Sequence, residues 1–219
     1  MIKIYFEDKD LIVCQKPYGV CSQISNGENM PQLLVEQTGS QIYPVHRLDT
    51  TTTGIMVYAK TERVAGLLSS QIASGELDKT YLAICHGKME KEGVLTDILY
   101  HDKLKNKSFV VKAKRKGAKE AILEFCTLGS TFFENKELSL VKIHLITGRT
   151  HQIRVQLASR GHMLYGDGKY GACDNDKISL HSYRISFKHP LTKKQISITA
   201  LPDLEGIWKK FFDELALRE

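Results

Sequence analysis

Short stretches of alternating apolar and polar residues dominate the sequence, and this period of two is typical of β-strands with one buried face. Several of these stretches are rich in Val, Ile, Tyr and Phe, the residue types that fit a pleated, half-buried surface. The pattern predicts strands over residues 11–15, 54–59, 80–86, 109–113, 121–127, 139–145, 180–187 and 195–199.

Helical periodicity occurs in fewer places. After Thr61, apolar residues recur at helical spacing until Gly75, which is suited to end a helix. A short helix containing Ile153 and Leu157 can begin just after Gly148. The C-terminal segment carries an apolar stripe at positions 204, 207, 208, 211 and 215, which predicts a helix packed on the core. Together these elements predict an α+β fold, with a large mixed, mostly antiparallel sheet flanked by a few helices and loops.

The bulk composition is that of an ordinary globular protein. With 219 residues the chain can bury a substantial core, and we predict a single domain over residues 1–219. Hydrophobic residues make up 42% and charged residues 26%, which argues against a disordered chain. No signal peptide is visible, and no apolar run approaches the length of a membrane span. The sequence therefore predicts a soluble, cytoplasmic protein without a membrane partner.

Cysteines and histidines lack the spacing of a disulfide framework or a metal site. The five cysteines are scattered, odd in number and never closely paired. The eight histidines include no pair at helical ligand spacing beside an acid. We therefore expect no metal and no disulfide, and we interpret the cysteines as small buried hydrophobic residues.

The positive charge of the chain is concentrated in residues 103–119, here called the basic segment. The whole chain carries a net charge of +6, whereas the residues outside this segment carry −2. The segment has eight basic side chains and no acidic one: Lys103, Lys105, Lys107, Lys112, Lys114, Arg115, Lys116 and Lys119. Such a block suits the phosphate backbone of a nucleic acid, although a solvated hairpin without a partner would have the same composition.

A glycine-rich loop at residues 166–171 has the spacing of a dinucleotide-binding turn. That turn needs a strand before it and a helix after it, within a βαβ unit. Here a short predicted helix and a turn-like Arg160-Gly161-His162 precede the loop, and no βαβ unit surrounds it. We therefore predict a structural turn.

Two further segments, residues 46–54 and 147–156, concentrate polar residues in apolar surroundings. The first contains Asp49 and the second contains Arg154. An Asp held against an Arg stays ionised, because the opposite charge lowers its pKa, and an ionised carboxylate can attack a sugar carbon. An Asp before a Thr run can equally cap a turn, so the residues alone leave both interpretations open.

Both segments resemble the hallmark motifs of the RluA-type family of RNA pseudouridine synthases. The central motif of that family is HRLD followed by two variable residues and Thr-Ser-Gly, and residues 46–54 read HRLDTTTTG. The second hallmark, TGRTHQIR, is unbroken at residues 147–154.

Flanking segments extend the resemblance over about residues 5–202. They include the Lys16-Pro17 turn, the strand that bears Tyr81, and the late glycine-rich loop. Thr53 replaces the usual Ser, and Met163 stands where Pro is common. The N-terminal S4 RNA-binding module of many relatives is not expected here.

The resemblance implies a pseudouridine synthase-like fold and the isomerisation of uridine in ribosomal or transfer RNA, without a metal, nucleotide or redox cofactor. It implies that Asp49 attacks the target nucleotide, or assists cleavage of its glycosidic bond, after the nucleotide has flipped out of its stack. It also implies that Tyr81 stacks on the base, that Arg154 pairs with Asp49, and that Arg47 fills the gap left by the flipped nucleotide. The residues expected to contact RNA are His46, Arg47, Arg149, Lys112, Lys114, Arg115 and Lys116.

Two alternative functions are weighed against this one. A non-catalytic RNA-binding module is disfavoured by the intact set of Asp49, Tyr81 and Arg154. A glycoside or nucleoside hydrolase of the two-carboxylate type needs a second acid, and Asp167 is the only other carboxylate in the recognisable motifs. We expect a monomer that needs no obligate protein partner.

Overall fold

The computed structural model describes residues 1–113 and 115–216. Its strands are β1 Ile4–Glu7, β2 Leu11–Lys16, β3 Tyr43–Pro44, β4 Thr53–Ala59, β5 Asp78–His86, β6 Glu92–Asp102, β7 Lys107–Val110, β8 Ala118–Phe133, β9 Lys136–Leu145, β10 Leu180–Lys188 and β11 Gln195–Thr199. Its α-helices are α1 Met30–Thr38, α2 Glu62–Ser74, α3 Gln152–Ala158 and α4 Phe212–Ala216, and 3-10 turns cover Gly168–Tyr170 and Gly206–Phe211.

The predicted fold class is confirmed. The strands form a large mixed sheet in which antiparallel pairs predominate, and β4 with β10 is a parallel pair. The chain divides into two compact units, Met1–Thr80 with His181–Pro202, and Tyr81–Leu180 with the described residues from Asp203 onward. The single catalytic domain over the full chain stays a prediction.

In the first unit, β2 lies between β1 and β4, β3 and β10 also pair with β4, and β11 pairs with β10. The α2 helix begins at Thr61, whose hydroxyl accepts a hydrogen bond from the Val64 N–H, and ends at Gly75 in the left-handed region (φ 76°). Apolar side chains of β2, β4, β10 and α2 form its core.

In the second unit, the strand order is β5-β9-β8-β6-β7. The β8 and β9 strands form a long hairpin, and its turn residues Glu134 and Asn135 both have positive φ, as tight hairpin turns require. The α3 helix packs against β6 and β7, where Val155 joins Leu99 and Ala121 in a small buried cluster. This packing places α3 beside β7, which is a strand of the basic segment.

Most predicted strands are present with ends shifted by a few residues, and one shift matters for the basic segment. The strand expected over 109–113 is β7, which begins at Lys107 and ends at Val110. The Asp102 carboxylate accepts hydrogen bonds from the Leu104 and Lys105 N–H groups, which fixes the turn after β6 and lets β7 begin at Lys107, opposite Asp102.

Other boundaries and elements differ from the sequence prediction. The short helix begins at Gln152 and not directly after Gly148, because His151 adopts a left-handed conformation (φ 55°). The C-terminal helix is a 3-10 turn followed by α4, and Ile207, Phe211 and Leu215 are buried as the apolar stripe predicts. The elements β1, β3, β6 and α1 were not predicted.

Two further expectations can be compared with the described residues. None of the helices there is long and apolar enough to cross a membrane. Among the thiols, Cys14 and Cys85 are buried, Cys21 and Cys126 are half-buried, and Cys173 is exposed, so the interpretation of all five as buried hydrophobic residues was wrong for Cys173.

Candidate active site

Asp49 lies in a tight turn that leads into β4. The preceding residue, Leu48, is buried, and its N–H and C=O are both hydrogen-bonded to the hydroxyl of Ser22. The turn closes where the Thr52 N–H donates to the Asp49 carbonyl oxygen at 2.9 Å. These bonds fix the backbone on both sides of a half-buried carboxylate. Asp49 is therefore held in place in advance of substrate binding.

Lys16 is a buried cation beside this turn. Its side chain is fully buried, and its Nζ donates to the carbonyl oxygens of Pro17 (2.8 Å), Val20 (2.8 Å) and Thr50 (3.1 Å). Three acceptors match the three N–H donors of an ammonium group. Burial lowers the pKa of Lys16 to about 8, while the negative charges of Cys21 and Asp49 act to raise it.

Lys16 thus brings positive charge to the Asp49 turn, and the sequence analysis did not name it as a functional residue. In the sequence, Lys16 is recognisable only as a lysine that ends an apolar strand directly before Pro17. A charged group at that place is expected at the surface, and only the fold shows that it is buried.

Gly54 is required where the motif enters β4. It has φ 111°, a conformation that L side chains rarely adopt. A Cβ at this position would lie 2.3 Å from the carbonyl oxygen of Ser182, on the neighbouring strand β10. The glycine that closes the motif therefore permits the close parallel approach of β4 and β10.

The two residues before Leu48 have different surroundings. The Nε2 of His46 accepts a hydrogen bond from the Val57 N–H at 3.1 Å, and burial, with Lys79 acting in the same sense, lowers the pKa of His46 to about 3. His46 is therefore neutral near pH 7 and is fastened to β4. Arg47 is exposed. RNA binding by both residues stays a prediction, and only Arg47 offers a cation for it.

In the second unit, Arg154 is on the first turn of α3 and is buried together with Asp167. Its Nε donates to one carboxylate oxygen of Asp167 and its Nη2 to the other, both at 2.7 Å. This two-point bond is the strongest geometry available to an Arg–carboxylate pair. The predicted pairing of Arg154 with Asp49 stays a prediction, whereas Asp167 is a partner that the sequence analysis assigned only to a turn.

The loop that contains Asp167 is the glycine-rich segment at residues 166–171, which forms the 3-10 turn Gly168–Tyr170. Its start is anchored by Asp174, whose carboxylate accepts from His86 Nε2 (2.5 Å), Lys136 Nζ (3.0 Å) and the Gly166 N–H (3.1 Å). Although burial acts to raise it, these hydrogen bonds hold the pKa of Asp174 below its usual value. The loop is thus a structural turn, as predicted, and it presents the partner of Arg154.

Tyr81 and Arg149 also lie in the second unit. Tyr81 is a buried residue of β5. Arg149 donates through Nε to the Glu120 carbonyl oxygen at 2.8 Å, and its backbone N–H donates to the Gln152 side-chain oxygen at 3.0 Å. Base stacking by Tyr81 and RNA contact by Arg149 stay predictions.

The basic segment spans the β6–β7 turn, β7 and the link to β8. Lys112, Arg115 and Lys116 are exposed, and Lys114 lies outside the described residues. The Arg115 guanidinium lies 3.6 Å from the ring centroid of Tyr100, within the range of a cation–π contact. A guanidinium stacked on an aromatic ring can still donate through its N–H groups to an anion.

One group of metal-type ligands occurs in the described residues, and it consists of Asp8, Asp10 and His189. The Nδ1 of His189 accepts hydrogen bonds from the N–H groups of Leu191 and Thr192, so the ring proton is on Nε2. That Nε2–H donates to an Asp8 carboxylate oxygen at 3.0 Å. Both ring nitrogens are therefore used in hydrogen bonds, and we interpret the group as a structural network.

Comparison with known proteins agrees with these motifs. Residues 10–159 match the RNA pseudouridylate synthase family. The chain is 29% identical to tRNA pseudouridine synthase C of Vibrio vulnificus (strain CMCP6), with 97% of this chain and 95% of that protein covered. It is 32% identical to the Uncharacterized RNA pseudouridine synthase YhcT of Bacillus subtilis (strain 168), with 96% and 72% covered.

A solved structure has the same fold. The chain is similar to human RNA Pseudouridylate Synthase Domain Containing 1, with a TM-score of 0.80 at 19% identity, and the alignment covers 99% of this chain and 95% of that one. The family match covers well over half of the chain and includes the Asp49 turn and the Arg154 helix. The chain therefore belongs to the RNA pseudouridylate synthase family, and it is an isomerase that converts uridine in RNA to pseudouridine.

Proposed function

We propose that this enzyme modifies particular uridines of structured RNA with Asp49 as the nucleophile, and that transfer RNA is the first candidate substrate and ribosomal RNA the second. The observation that supports Asp49 most strongly is its position in a fixed turn beside the buried cation Lys16. The Vibrio relative, which matches this chain over nearly its whole length, is named for transfer RNA.

The proposed reaction begins when the target nucleotide leaves its stack, since a stacked uridine cannot present its sugar carbon C1′ to a half-buried carboxylate. Asp49 attacks C1′, or assists departure of the base, and the N1–C1′ bond breaks. The freed uracil turns and its C5 bonds to C1′. Where Asp49 had attacked C1′, its carboxylate leaves as this new bond forms. The proton on C5 is then lost and N1 gains one, so the reaction is an isomerisation and consumes no co-reactant.

We assign Tyr81 to stacking on the base and to accepting the proton from C5. A phenol ring offers a face to any base, and its oxygen can take part in proton transfer. Arg154 is assigned to orient Asp49 and stabilise its charge, while Asp167 holds the Arg154 guanidinium through Nε and Nη2. Arg47 is assigned to the gap that the flipped nucleotide leaves.

Substitutions at Tyr81 separate these two tasks. Tyr81→Phe keeps the ring and loses the hydroxyl, so we expect nearly normal RNA affinity and turnover lowered by about a hundredfold or more. Tyr81→Leu also loses the ring, and we expect it to weaken RNA binding by roughly 1–3 kcal/mol as well. Filter binding, single-turnover kinetics and thermal melting measure the three quantities. Equal, normal affinity of both folded variants would rule out stacking.

We propose that the basic segment contacts the RNA backbone. Its side chains in the described residues are largely exposed, and no acidic side chain lies among them. Base stacking tolerates many sequences, so RNA shape and backbone contacts must contribute to the choice of target. His46 and Arg149 are assigned to neighbouring RNA contacts, and both side chains are also hydrogen-bonded to the protein backbone.

Replacing Lys112, Arg115 and Lys116 with Gln is expected to weaken RNA binding and to flatten its salt dependence. Each lost phosphate contact lowers the slope of log affinity against log salt by about 0.7 to 0.9. Turnover at saturating RNA stays close to normal, while the apparent Michaelis constant rises. A matched control removes the same charge from three exposed residues of the first unit, Lys9, Arg63 and Lys194. Equal salt slopes for both triple variants and the unmodified protein would show that the segment does not contact RNA.

The substrate assignment is tested by mapping pseudouridine in transfer and ribosomal RNA from cells that lack the protein. We expect one or a few transfer RNA positions to lose the modification and the purified protein to restore it. Loss confined to ribosomal RNA would move the assignment to that substrate. Release of free uracil without pseudouridine would instead indicate a hydrolase and overturn the proposal.

We also propose that the enzyme acts as a monomer in the cytoplasm without an obligate protein partner. Sedimentation equilibrium and activity of the purified protein alone test these points.

A further inference from the structure

Tyr170 connects three separate segments of the second unit through its hydroxyl group. Its oxygen accepts a hydrogen bond from the Ser108 N–H at 2.8 Å and lies 3.0 Å from His151 Nδ1. Ser108 belongs to β7, His151 directly precedes α3, and Tyr170 itself ends the 3-10 turn that follows Asp167. One side chain thus ties a strand of the basic segment to the helix and to the loop that together hold the Arg154–Asp167 pair.

The ring of Tyr170 also faces the Arg154 side chain. The Arg154 Cζ lies 5.2 Å from the ring centroid, and the Lys107 Nζ lies 4.9 Å from it. Both distances are within the range of cation–π attraction. Asp167 binds two N–H groups of the Arg154 guanidinium, and the Tyr170 ring lies near the same guanidinium. Two independent contacts therefore limit how Arg154 can turn.

The backbone at the start of α3 provides a second reason to expect that Tyr170 positions Arg154. His151 has φ 55°, and a left-handed residue of this kind persists only where its surroundings fix it. Ser108, which is buried, donates through its hydroxyl to the Thr150 carbonyl oxygen at 2.6 Å. The Tyr170 hydroxyl is hydrogen-bonded to His151, the residue after Thr150. The direction of the first turn of α3, which carries Arg154, is therefore set from β7.

We infer that Tyr170 is a positioning residue for the reaction: its hydroxyl fixes the start of α3 and its ring supports the Arg154 guanidinium. This inference rests on the proposed function, in which Arg154 acts with Asp49. It assigns to the tyrosine of the glycine-rich loop a task that is not part of the family motifs named above.

The test compares Tyr170→Phe with Tyr170→Leu. Phe keeps the ring beside Arg154 and loses the hydroxyl, so we expect kcat to fall by about tenfold with an unchanged KM. Leu loses both contacts, and we expect kcat to fall by about a hundredfold. Turnover is measured as tritium release from total RNA that is labelled at uridine C5 and taken from cells that lack the enzyme. If the Leu variant does not fold, the Phe variant still decides the question.

Tyr5→Phe is the matched control, because the Tyr5 hydroxyl donates to Gln15 Oε1 at 2.6 Å in the first unit. It loses a comparable hydrogen bond, so we expect a similar fall in melting temperature and a normal kcat. If Tyr170→Phe behaves like this control, Tyr170 has a merely structural role and the inference is wrong. The proposed function is tested by a different variant, because a normally active Arg154→Ala enzyme would contradict the role of Arg154 beside Asp49. An inactive Arg154→Ala beside two Tyr170 variants of normal kcat overturns the inference alone.

Discussion

Asp49→Asn is expected to abolish pseudouridine formation, with turnover at least about a thousandfold below that of the unmodified enzyme. Asn has nearly the same shape as Asp and lacks the negative charge that attacks the sugar carbon or assists cleavage of the glycosidic bond. The fold should survive, because the contacts that shape this turn are made by backbone atoms, by Ser22 and by Lys16. Single-turnover assays and a thermal melt measure the two quantities.

The control is Asp203→Asn, which removes the same charge from an exposed residue and should leave turnover unchanged. RNA affinity should also stay near normal in Asp49→Asn, since this carboxylate is not expected to attract a phosphate backbone. Substantial turnover by a folded Asp49→Asn enzyme would remove Asp49 from the centre of the mechanism.

Arg154→Ala is expected to lose both activity and stability. The variant leaves the Asp167 carboxylate buried without its cation, and an uncompensated buried charge costs on the order of 3–5 kcal/mol. For a chain of this size, that cost lowers the melting temperature by roughly 6–20 °C. Arg154→Lys should rescue only part of either property, because an ammonium group cannot form the two-point bond.

A double variant separates the structural and catalytic parts of this effect. In Arg154→Ala with Asp167→Asn, the buried negative charge is gone, so we expect part of the lost stability to return without any return of activity. Arg160→Ala is the matched control, since Arg160 forms a more exposed ion pair with Asp97 that is worth about 1 kcal/mol or less. Normal turnover and normal melting of Arg154→Ala would contradict both parts.

The secondary structure was largely predictable from the sequence, with informative exceptions. The predicted strands were found because they are short apolar runs rich in Val, Ile, Tyr and Phe. The α2 helix was found because Thr61 and Gly75 are recognisable caps. The α1 helix carries a comparable signal, Asn29 capping the Gln32 N–H with Pro31 in the first turn, but it has only nine residues and few buried positions. The β6 strand was missed because many of its residues are only half-buried, which weakens the alternation.

The residues proposed for the site could be named from the sequence because they belong to short, recognisable motifs. A carboxylate directly before a threonine run, and an arginine at a fixed place in TGRTHQIR, can be recognised without knowing the fold. The concentration of positive charge in residues 103–119 is likewise a property of the sequence. For these reasons the family and the reaction follow from the order of amino acids along the chain, whereas the roles of Asp49, Tyr81 and Arg154 stay predictions.

The partners of these residues depend on the tertiary structure. Asp167 is separated from Arg154 by a turn and a loop, and spacing along the chain does not fix the 2.7 Å distances between them. The burial of Lys16 and the hydrogen bond from the Ser108 N–H to the Tyr170 hydroxyl depend in the same way on how distant segments pack. The amino-acid order thus specifies which chemical groups are present, whereas the packing of segments far apart in the chain specifies which of them touch, because burial and hydrogen bonding depend on positions in space.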